Sequence, residues 1–453
     1  MLPVSFLNSL KGLPGYHKES FVRTHELGTQ VTSLRLNPAK PIDTAQHAFL
    51  NNSTPIPWCA NGHYLSERPS FVTDPLWHAG AYYVQEASSM FIQTILDQIM
   101  PQAKGKIALD LCAAPGGKST LLASHFKQGL VVANETIKSR NAILVENITK
   151  WGADHVVVTQ NDPSHFKALP QFFDLLLIDA PCSGSGLFRK DPAAIEEWSE
   201  EAVQHCSTRQ VRILEESINT IKEGGYLIYS TCSYSFEEDE KIMDTIAAMP
   251  GMQNISLNLP SSWKIVETES PVHHATGFRF YPDQVKGEGF FVTVFQKQSD
   301  LTGGYYAADF KWTSISKQEQ AVLVSHFELP EDYIVISHQN TLLAIPAFFE
   351  NSIKALLKNL YVKKLGIDIG AIKGKDLIPA HALAMSDWGN LPYGRIEVDL
   401  ATALQYLRRA DLVLAGNKSW QAICYQNIRL GWAKLLPNRM NNYYPTEWRI
   451  LKY

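Results

Sequence analysis

Two cysteines and two polar partners stand where this chain could do chemistry. Cys182 lies in Asp179-Ala-Pro-Cys-Ser-Gly-Ser-Gly186, directly after the apolar run that starts at Phe173. Cys232 lies in Ser230-Thr-Cys-Ser233, directly after the run that starts at Tyr226. A thiolate can attack an electrophilic carbon and hold it covalently. Cys182, beside an acid and a Gly/Ser loop, is the first candidate for that role. A buried cysteine is also a common inert small hydrophobe. Two thiols, each just past a strand end and each in a Ser/Thr/Gly-rich loop, weigh toward chemistry, and the residues alone do not rank one above the other.

The stretch Asp110-Leu-Cys-Ala-Ala-Pro-Gly-Gly-Lys118 supplies a second kind of site. Glycines between a strand and a helix let a ligand approach the backbone and the free N–H groups of the helix start. Gly117-Lys-Ser119 invites a phosphate-loop reading, but that loop needs a glycine five positions before Gly117, and Cys112 stands there. The dinucleotide pattern G-x-G-x-x-G is absent as well. Glu135, 18 positions after Gly117, is spaced to accept from both hydroxyls of a ribose. Asp162 could take an adenine amino group. A glycine turn, Glu135, Asp162 and Asp179 at four consecutive strand ends describe a pocket for a nucleoside without a pyrophosphate. S-adenosylmethionine fits it, against a wall of Cys112, Ala113, Ala114, Pro115, Gly116, Gly117 and Lys118.

These residues need strands that end at one edge. Residues 106–112, 130–134, 155–159, 173–179 and 226–231 read as strands, with helices over 118–125, 138–151, about 203–222 and 237–249 between or after them. Strands alternating with helices predict an α/β, Rossmann-like, parallel, doubly wound sheet, and ligands bind such sheets beyond the carboxyl ends of the strands. Residues 264–267 and 289–296 read as closing strands. Near the start, Val31-Thr-Ser-Leu-Arg-Leu-Asn-Pro38 alternates apolar and polar residues, which predicts a strand with Arg35 on its polar face. Residues 82–91 are read as leading into a helix through Leu96. Gln298–Gly304 reads as a linker, and beyond it short strands with interleaved Tyr, Trp and Lys/Arg predict one or two α+β domains. The expected domains are 1–80, an N-terminal α+β segment; 81–297, the unit that carries the site; and 305–453, a C-terminal α+β region.

Net charge is −4, so no global basic field advertises nucleic acid. Residues 351–453, however, carry 15 Lys/Arg against 7 Asp/Glu, a local +8 that leaves −12 on the rest. A basic region appended to an acidic one points to a polyanionic partner. None of the six cysteines forms a C-x-x-C pair, so no metal site is expected. The start lacks a basic n-region, and no apolar run approaches the 18 residues of a membrane span. A reduced, cytoplasmic protein is expected.

The three motifs, with Ser33-Leu-Arg-Leu-Asn37, Tyr83-Val-Gln-Glu-Ala-Ser-Ser89, Arg189-Lys-Asp-Pro192 and Gly289-Phe-Phe291, resemble the signatures of the NOL1/NOP2/Sun family of RNA cytosine-C5 methyltransferases, in the expected order over residues 30–296. The tail, with Ile378-Pro-Ala-His-Ala-Leu-Ala384, Leu430-Gly-Trp-Ala-Lys434 and Asn442-Tyr-Tyr-Pro445, resembles that of RsmF-type bacterial enzymes, which methylate 16S ribosomal RNA and end in a PUA-like domain. The resemblance implies that Cys232 attacks cytosine C6, that Cys182 assists release, that Asp179 binds the cytosine N3/N4 edge, and that Lys118 positions Asp179. It implies S-adenosylmethionine as methyl donor and, as partner, 16S rRNA within the 30S subunit. The enzyme is expected to be a monomer, and the resemblance implies that 305–453, a C-terminal RNA-binding region that includes the PUA-like domain, grips the phosphate backbone together with 1–80, an N-terminal RNA-binding segment, around Arg35. The rival readings are the same chemistry on tRNA or 23S rRNA, an RNA-binding assembly factor without turnover, and a P-loop nucleotidase, which Cys112 already weakens.

Overall fold

The structure is a computed structural model that describes residues 2–299, 310–326, 329–338, 341–389 and 391–451. Residues 300–304 of the expected linker lie outside this set.

The chain begins with two helices, Val4–Ser9 and Lys18–Leu27, and an antiparallel sheet of β1 (Ser33–Leu36), β2 (Thr54–Ile56), β3 (Cys59–Tyr64) and β4 (Tyr82–Val84), in the order β2-β3-β1-β4. The expected lead-in over 82–91 is strand at first, where Tyr82 pairs with Leu36, turns helical at Ser88 and continues as the helix Ile92–Ile99.

Nine strands follow: β5 (Ile107–Asp110), β6 (Leu130–Asn134), β7 (Val156–Thr159), β8 (Phe173–Asp179), β9 (Ile221–Thr231), β10 (Met252–Asn254), β11 (Val266–Glu269), β12 (Thr276–Phe280) and β13 (Phe290–Lys297). Their central order is β9-β8-β5-β6-β7, all parallel, and β13, β12 and β11 extend it antiparallel beyond β9. The apolar runs have no polar face because successive side chains enter different cores. Ala108, Val131, Val156 and Leu175 join one core, while Leu109, Val132, Val157 and Leu176 join the other. The chain passes from β5 outward through β6 and β7, then returns to β8 on the other side of β5. This reversal is where an open α/β sheet leaves a crevice at its carboxyl edge.

Beyond the linker lie β14 (Thr313–Ser314), β15 (Tyr333–His338), β16 (Thr341–Pro346), β17 (Val362–Leu365), β18 (Ile367–Lys373) and β19 (Asp376–Pro379). Five of these form their own sheet, but β17 leaves it and pairs antiparallel with β7, at the edge of the large parallel sheet. The final unit contains β20 (Gly394–Glu397), β21 (Trp420–Tyr425), β22 (Ile428–Leu436) and β23 (Arg439–Asn442). It shares a core with the N-terminal unit, where Leu34, Leu76 and Tyr82 pack with Tyr406, Leu430 and Tyr444. Among the described residues no helix is long and apolar enough to cross a membrane.

Arg35 corrects the sequence expectation. It is only 2% exposed. Its Nε donates to Gln85 Oε1 at 3.0 Å, its Nη2 to Thr120 Oγ1 at 2.7 Å and Gly117 O at 3.2 Å, and its guanidinium lies 4.7 Å from the Trp151 ring centroid. Alternation correctly set it opposite to the apolar residues of β1, but that face meets the catalytic unit instead of solvent. Asn37 and Lys40 seal the same junction. Asn37 Nδ2 donates to Trp151 O at 2.9 Å, and Lys40 Nζ donates to Lys150 O at 2.5 Å. A donor and a cation thereby meet the free carbonyls at the end of helix Lys138–Trp151.

Candidate active site

The carboxyl ends of β5, β6, β7, β8 and β9 meet at two adjoining cavities of about 270 and 300 Å³. Cys112, Ala114, Asp179, Leu187 and Cys232 line both. The first is closed by Tyr83, Gln85, Asp110, Gly117, Lys118 and Phe290, the second by Glu135, Arg140, Asp162, Cys182, Arg209 and Arg212.

Asn134 holds three strand ends together. Its side-chain amide donates to Leu111 O at 3.1 Å and Asn161 O at 2.9 Å, its Oδ1 accepts from Asn161 N and Thr159 Oγ1, and its carbonyl accepts from Ala113 N. The turn after β5 is fixed from both sides, by Asn134 here and by Arg35 at Gly117. Gly116 adopts φ +116°, a left-handed region that disfavours side chains, and caps the helix Gly117–His125 from behind the cavity wall, against Leu144. Ala113, Ala114, Pro115 and Gly117 face the first cavity.

Glu135 is buried. Its Oε1 accepts from Ile137 N at 2.8 Å, and its Oε2 lies 3.7 Å from Arg140, whose Nη2 also donates to Ala114 O. Asp162 stands at the mouth of the second cavity, already engaged by Ser164 and by Arg212 at 3.1 Å. Asp110 is fully buried. Its Oδ2 accepts from Ser119 Oγ at 2.6 Å, while its Oδ1 has no hydrogen-bond partner among the described residues, and the residue lines the first cavity. Burial, only partly offset by the Ser119 hydrogen bond, pushes its pKa up to about 7.

Lys118 Nζ pairs with Asp179 Oδ2 at 2.8 Å, and Ser230 Oγ donates to Asp179 Oδ1 at 2.8 Å. Burial alone would lower the Lys118 pKa; Asp179, with Asp110 and Cys232 beyond it, outweighs that and raises it. Strands β8 and β9 are parallel neighbours, with Asp179 opposite Ser230, which brings the two thiols together: Cys182 Sγ and Cys232 Sγ are 3.0 Å apart. The Cys182 thiol is raised well above the usual range by its hydrogen bond to Cys232, by burial and by the Glu238 charge. Burial and nearby carboxylates also raise the Cys112 thiol.

Every site residue named from the sequence therefore falls at this edge. Three that organise it were not singled out. Asn134 reads as an ordinary strand end. Glu238 sits in the acidic run Glu237-Glu-Asp-Glu240, which looks solvated in the sequence yet is buried from Glu238 onward. Gly186 is pressed between strands: its N–H donates to Cys232 O at 2.7 Å, and a Cβ there would lie 2.6 Å from Cys232 O and Gly289 O.

Three family models match the chain: the N-terminal domain of 16S rRNA methyltransferase RsmF over residues 2–87, 16S rRNA methyltransferase RsmB/F over 97–296, and the RsmF PUA domain over 393–450. Ribosomal RNA small subunit methyltransferase F of Vibrio cholerae serotype O1 (strain M66-2) is 31% identical over 413 residues, 87% of this chain and 85% of the relative. The crystal structure of PH0851 superposes with a TM-score of 0.57 at 25% identity, covering 65% of this chain and 66% of that one. A methyltransferase homolog protein from Pyrococcus horikoshii gives 0.52 at 27% identity, covering 65% of this chain and all of its own. The fold, the shared edge and these likenesses agree, and the chain belongs to the ribosomal RNA small subunit methyltransferase F family.

Proposed function

We propose that this enzyme transfers a methyl group from S-adenosylmethionine to C5 of one cytosine in the decoding region of 16S rRNA, through a covalent bond between Cys232 and cytosine C6. The observation that carries the reading is the pair of thiols 3.0 Å apart beside the Lys118–Asp179 ion pair, on the wall shared by two cavities.

The cavities suit the methyl donor. Glu135 can accept from ribose hydroxyls and Asp162 from an amino group, while the unpartnered Asp110 Oδ1 awaits a donor. A Cβ at Gly117 would lie 3.4 Å from Tyr83 and 3.5 Å from Gln85, filling space beside the cavity. The wall from Cys112 to Lys118, with Glu135, Asp162 and Asp179, would hold the donor. S-adenosylmethionine supplies an electrophilic methyl group.

Cytosine C5 is a poor nucleophile. The Cys232 thiolate adds to C6 and makes C5 enamine-like. Asp179, positioned by Lys118 and Ser230, hydrogen-bonds the N3/N4 edge and favours its protonation as charge develops in the ring. After methylation a base removes the C5 proton, the C6–sulfur bond breaks, and its electron pair returns to Cys232. Cys182 is the neighbouring group placed to assist that release. A cytosine in a stem must leave its stack to reach the site. Residues 1–80 and 305–453 flank the catalytic unit, 81–297, as RNA-binding parts, with exposed Lys418 and Arg439 among the C-terminal cations. The enzyme acts as a monomer in the cytoplasm on the 30S subunit.

Bisulfite sequencing of 16S rRNA, 23S rRNA and tRNA from cells with and without the gene tests this. One 16S cytosine should lose its methylation. Loss confined to tRNA or 23S rRNA would refute the substrate, and no loss anywhere would refute the activity.

A further inference from the structure

We infer that Glu238 is a positioning residue for the two thiols: it ties both cysteine-bearing loops to one carboxylate and sets its negative charge on the Cys182 side of the pair, opposite Lys118 on the Cys232 side. The inference rests on the covalent reading for what the thiols do, but not for how they are held.

Glu238 is fully buried. Its Oε1 accepts from Ser183 N at 2.9 Å and Gln210 Nε2 at 3.0 Å, and its Oε2 accepts from Ser183 Oγ at 2.5 Å and Ser233 Oγ at 2.6 Å. Ser183 follows Cys182 and Ser233 follows Cys232, so one side chain grips both loops one residue past each sulfur. Gln210 completes the grip by donating also to Pro181 O at 3.1 Å. Four donors satisfy a buried charge that would otherwise be expensive to desolvate.

Position turns this clamp into an asymmetry between two like groups. Cys232 shares the first cavity with Lys118, and Cys182 opens only onto the second. Around Cys182 stand Asp179 at the end of β8, Tyr229 on β9, Cys232 just past β9, Glu238, and Cys206 and Arg209 on the helix Glu200–Ser217. Arg209 is the cation of that set; Arg140 and Arg212 line the same cavity but are engaged by Glu135 and Asp162, and among the described residues Arg209 makes no bond to the clamp. Ionising Cys182 places a second negative charge near Glu238, which helps keep its proton in place. Two thiols in contact thus acquire different surroundings: Cys232 stands beside Lys118, and Cys182 stands beside Glu238, where it retains a proton that it can give to the Cys232 sulfur as the C6–sulfur bond breaks.

The test uses the full-length enzyme without RNA. Iodoacetamide modification of each cysteine is followed by peptide mass spectrometry across pH. Cys232 should react first. In Glu238→Gln the pH midpoint for Cys182 should fall, raising its rate at a fixed pH below the midpoint about tenfold, and Glu238→Asp should restore the wild-type midpoint. A general loosening would raise the plateau rate and leave the midpoint in place, and a folded Glu238→Gln enzyme with that result would overturn the inference. If Glu238→Gln does not fold, a second test with RNA present uses the pair Ser183→Ala and Ser233→Ala, which removes both hydroxyl tethers, leaves the residue-183 N–H and Gln210 on the carboxylate, and keeps the charge. Cys182 should then keep its midpoint while release of the RNA adduct slows, and unchanged release would overturn the clamp. A wild-type enzyme that forms no adduct but keeps the order of modification would refute the covalent reading and leave the placement of Glu238 standing.

Discussion

Replacing Arg35 by alanine separates a buried strut from a phosphate contact. The guanidinium makes side-chain bonds of 3.0 Å to Gln85 and 2.7 Å to Thr120, a longer bond to Gly117 O, and a cation–π contact with Trp151. Hydrogen bonds to a charged group contribute about 1.5–3 kcal/mol each, and a desolvated cation–π contact about 2 kcal/mol. Against that stands the cost of burying the cation, visible in an Arg35 pKa that burial lowers to about 10. Thr120 Oγ1 keeps its bonds to Gly116 O and Gly117 O, whereas Gln85 Oε1 loses its donor and the side chain keeps its Nε2 bond to Ser89. The net loss on truncation, including the cavity left, comes to about 3 kcal/mol. At ~2–4 °C per kcal/mol for a unit of this size, the first thermal transition should fall by about 6–12 °C. Because Gly117 loses a restraint, affinity for S-adenosylmethionine should fall as well. The RNA-binding salt slope should not change, since a group that touches no phosphate releases no counterion. Calorimetry and filter binding at several salt concentrations decide the matter. An unchanged melting profile, with the salt slope reduced by about one, would show that Arg35 reaches RNA and that its burial has been misjudged.

Three further outcomes are expected. Cys182→Ala should accumulate a protein–RNA adduct on denaturing gels and Cys232→Ala should form none; an adduct seen only without Cys232 would reverse the two roles. Gly186→Ala forces a methyl group to within 2.6 Å of the Cys232 carbonyl. The shift of Cys232 should cut methylation about a hundredfold, in a protein whose far-UV circular dichroism is unchanged, and full activity would show that the loops give way freely. His381 packs edge-on against Tyr444 and Trp448, both ring nitrogens are without a partner among the described residues, and burial, with Lys150 and Lys40 nearby, lowers its pKa to about 3. The unfolded chain takes up this proton near pH 6.5 and the folded chain does not. Stability is therefore lost as pH falls from about 6.5 toward 3, by up to about 1.4 kcal/mol per pH unit. His381→Phe should flatten that acid limb in urea titrations read at each pH, and an unaltered limb would assign the sensitivity elsewhere.

Much of the catalytic edge was legible because its signals are local. Strand β8 shows itself by four consecutive apolar residues, and its end by Asp179 and Pro181. The turn at Gly116-Gly117 follows from glycine's freedom of backbone, and the place of Glu135 from its spacing. Arg35 was misread for a physical reason. Alternation reports that a side chain points away from one core, but not whether the other face meets water or a second unit. Glu238 was passed over because an acidic run is usually solvated, and only packing shows that four donors surround this one.

The sequence by itself determined the class of sheet, the order of its motifs and which residues stand at strand ends, since each depends on periodicity and on turn chemistry within a few residues. Tertiary structure alone decided which strand ends are neighbours. Residues 182 and 232 are 50 positions apart, and no local pattern says that β9 lies beside β8. The parallel register that sets Asp179 opposite Ser230 brings the two sulfurs to 3.0 Å. It also leaves one of them beside Lys118 and the other beside Glu238, a difference in surroundings that identical side chains cannot carry in their own chemistry.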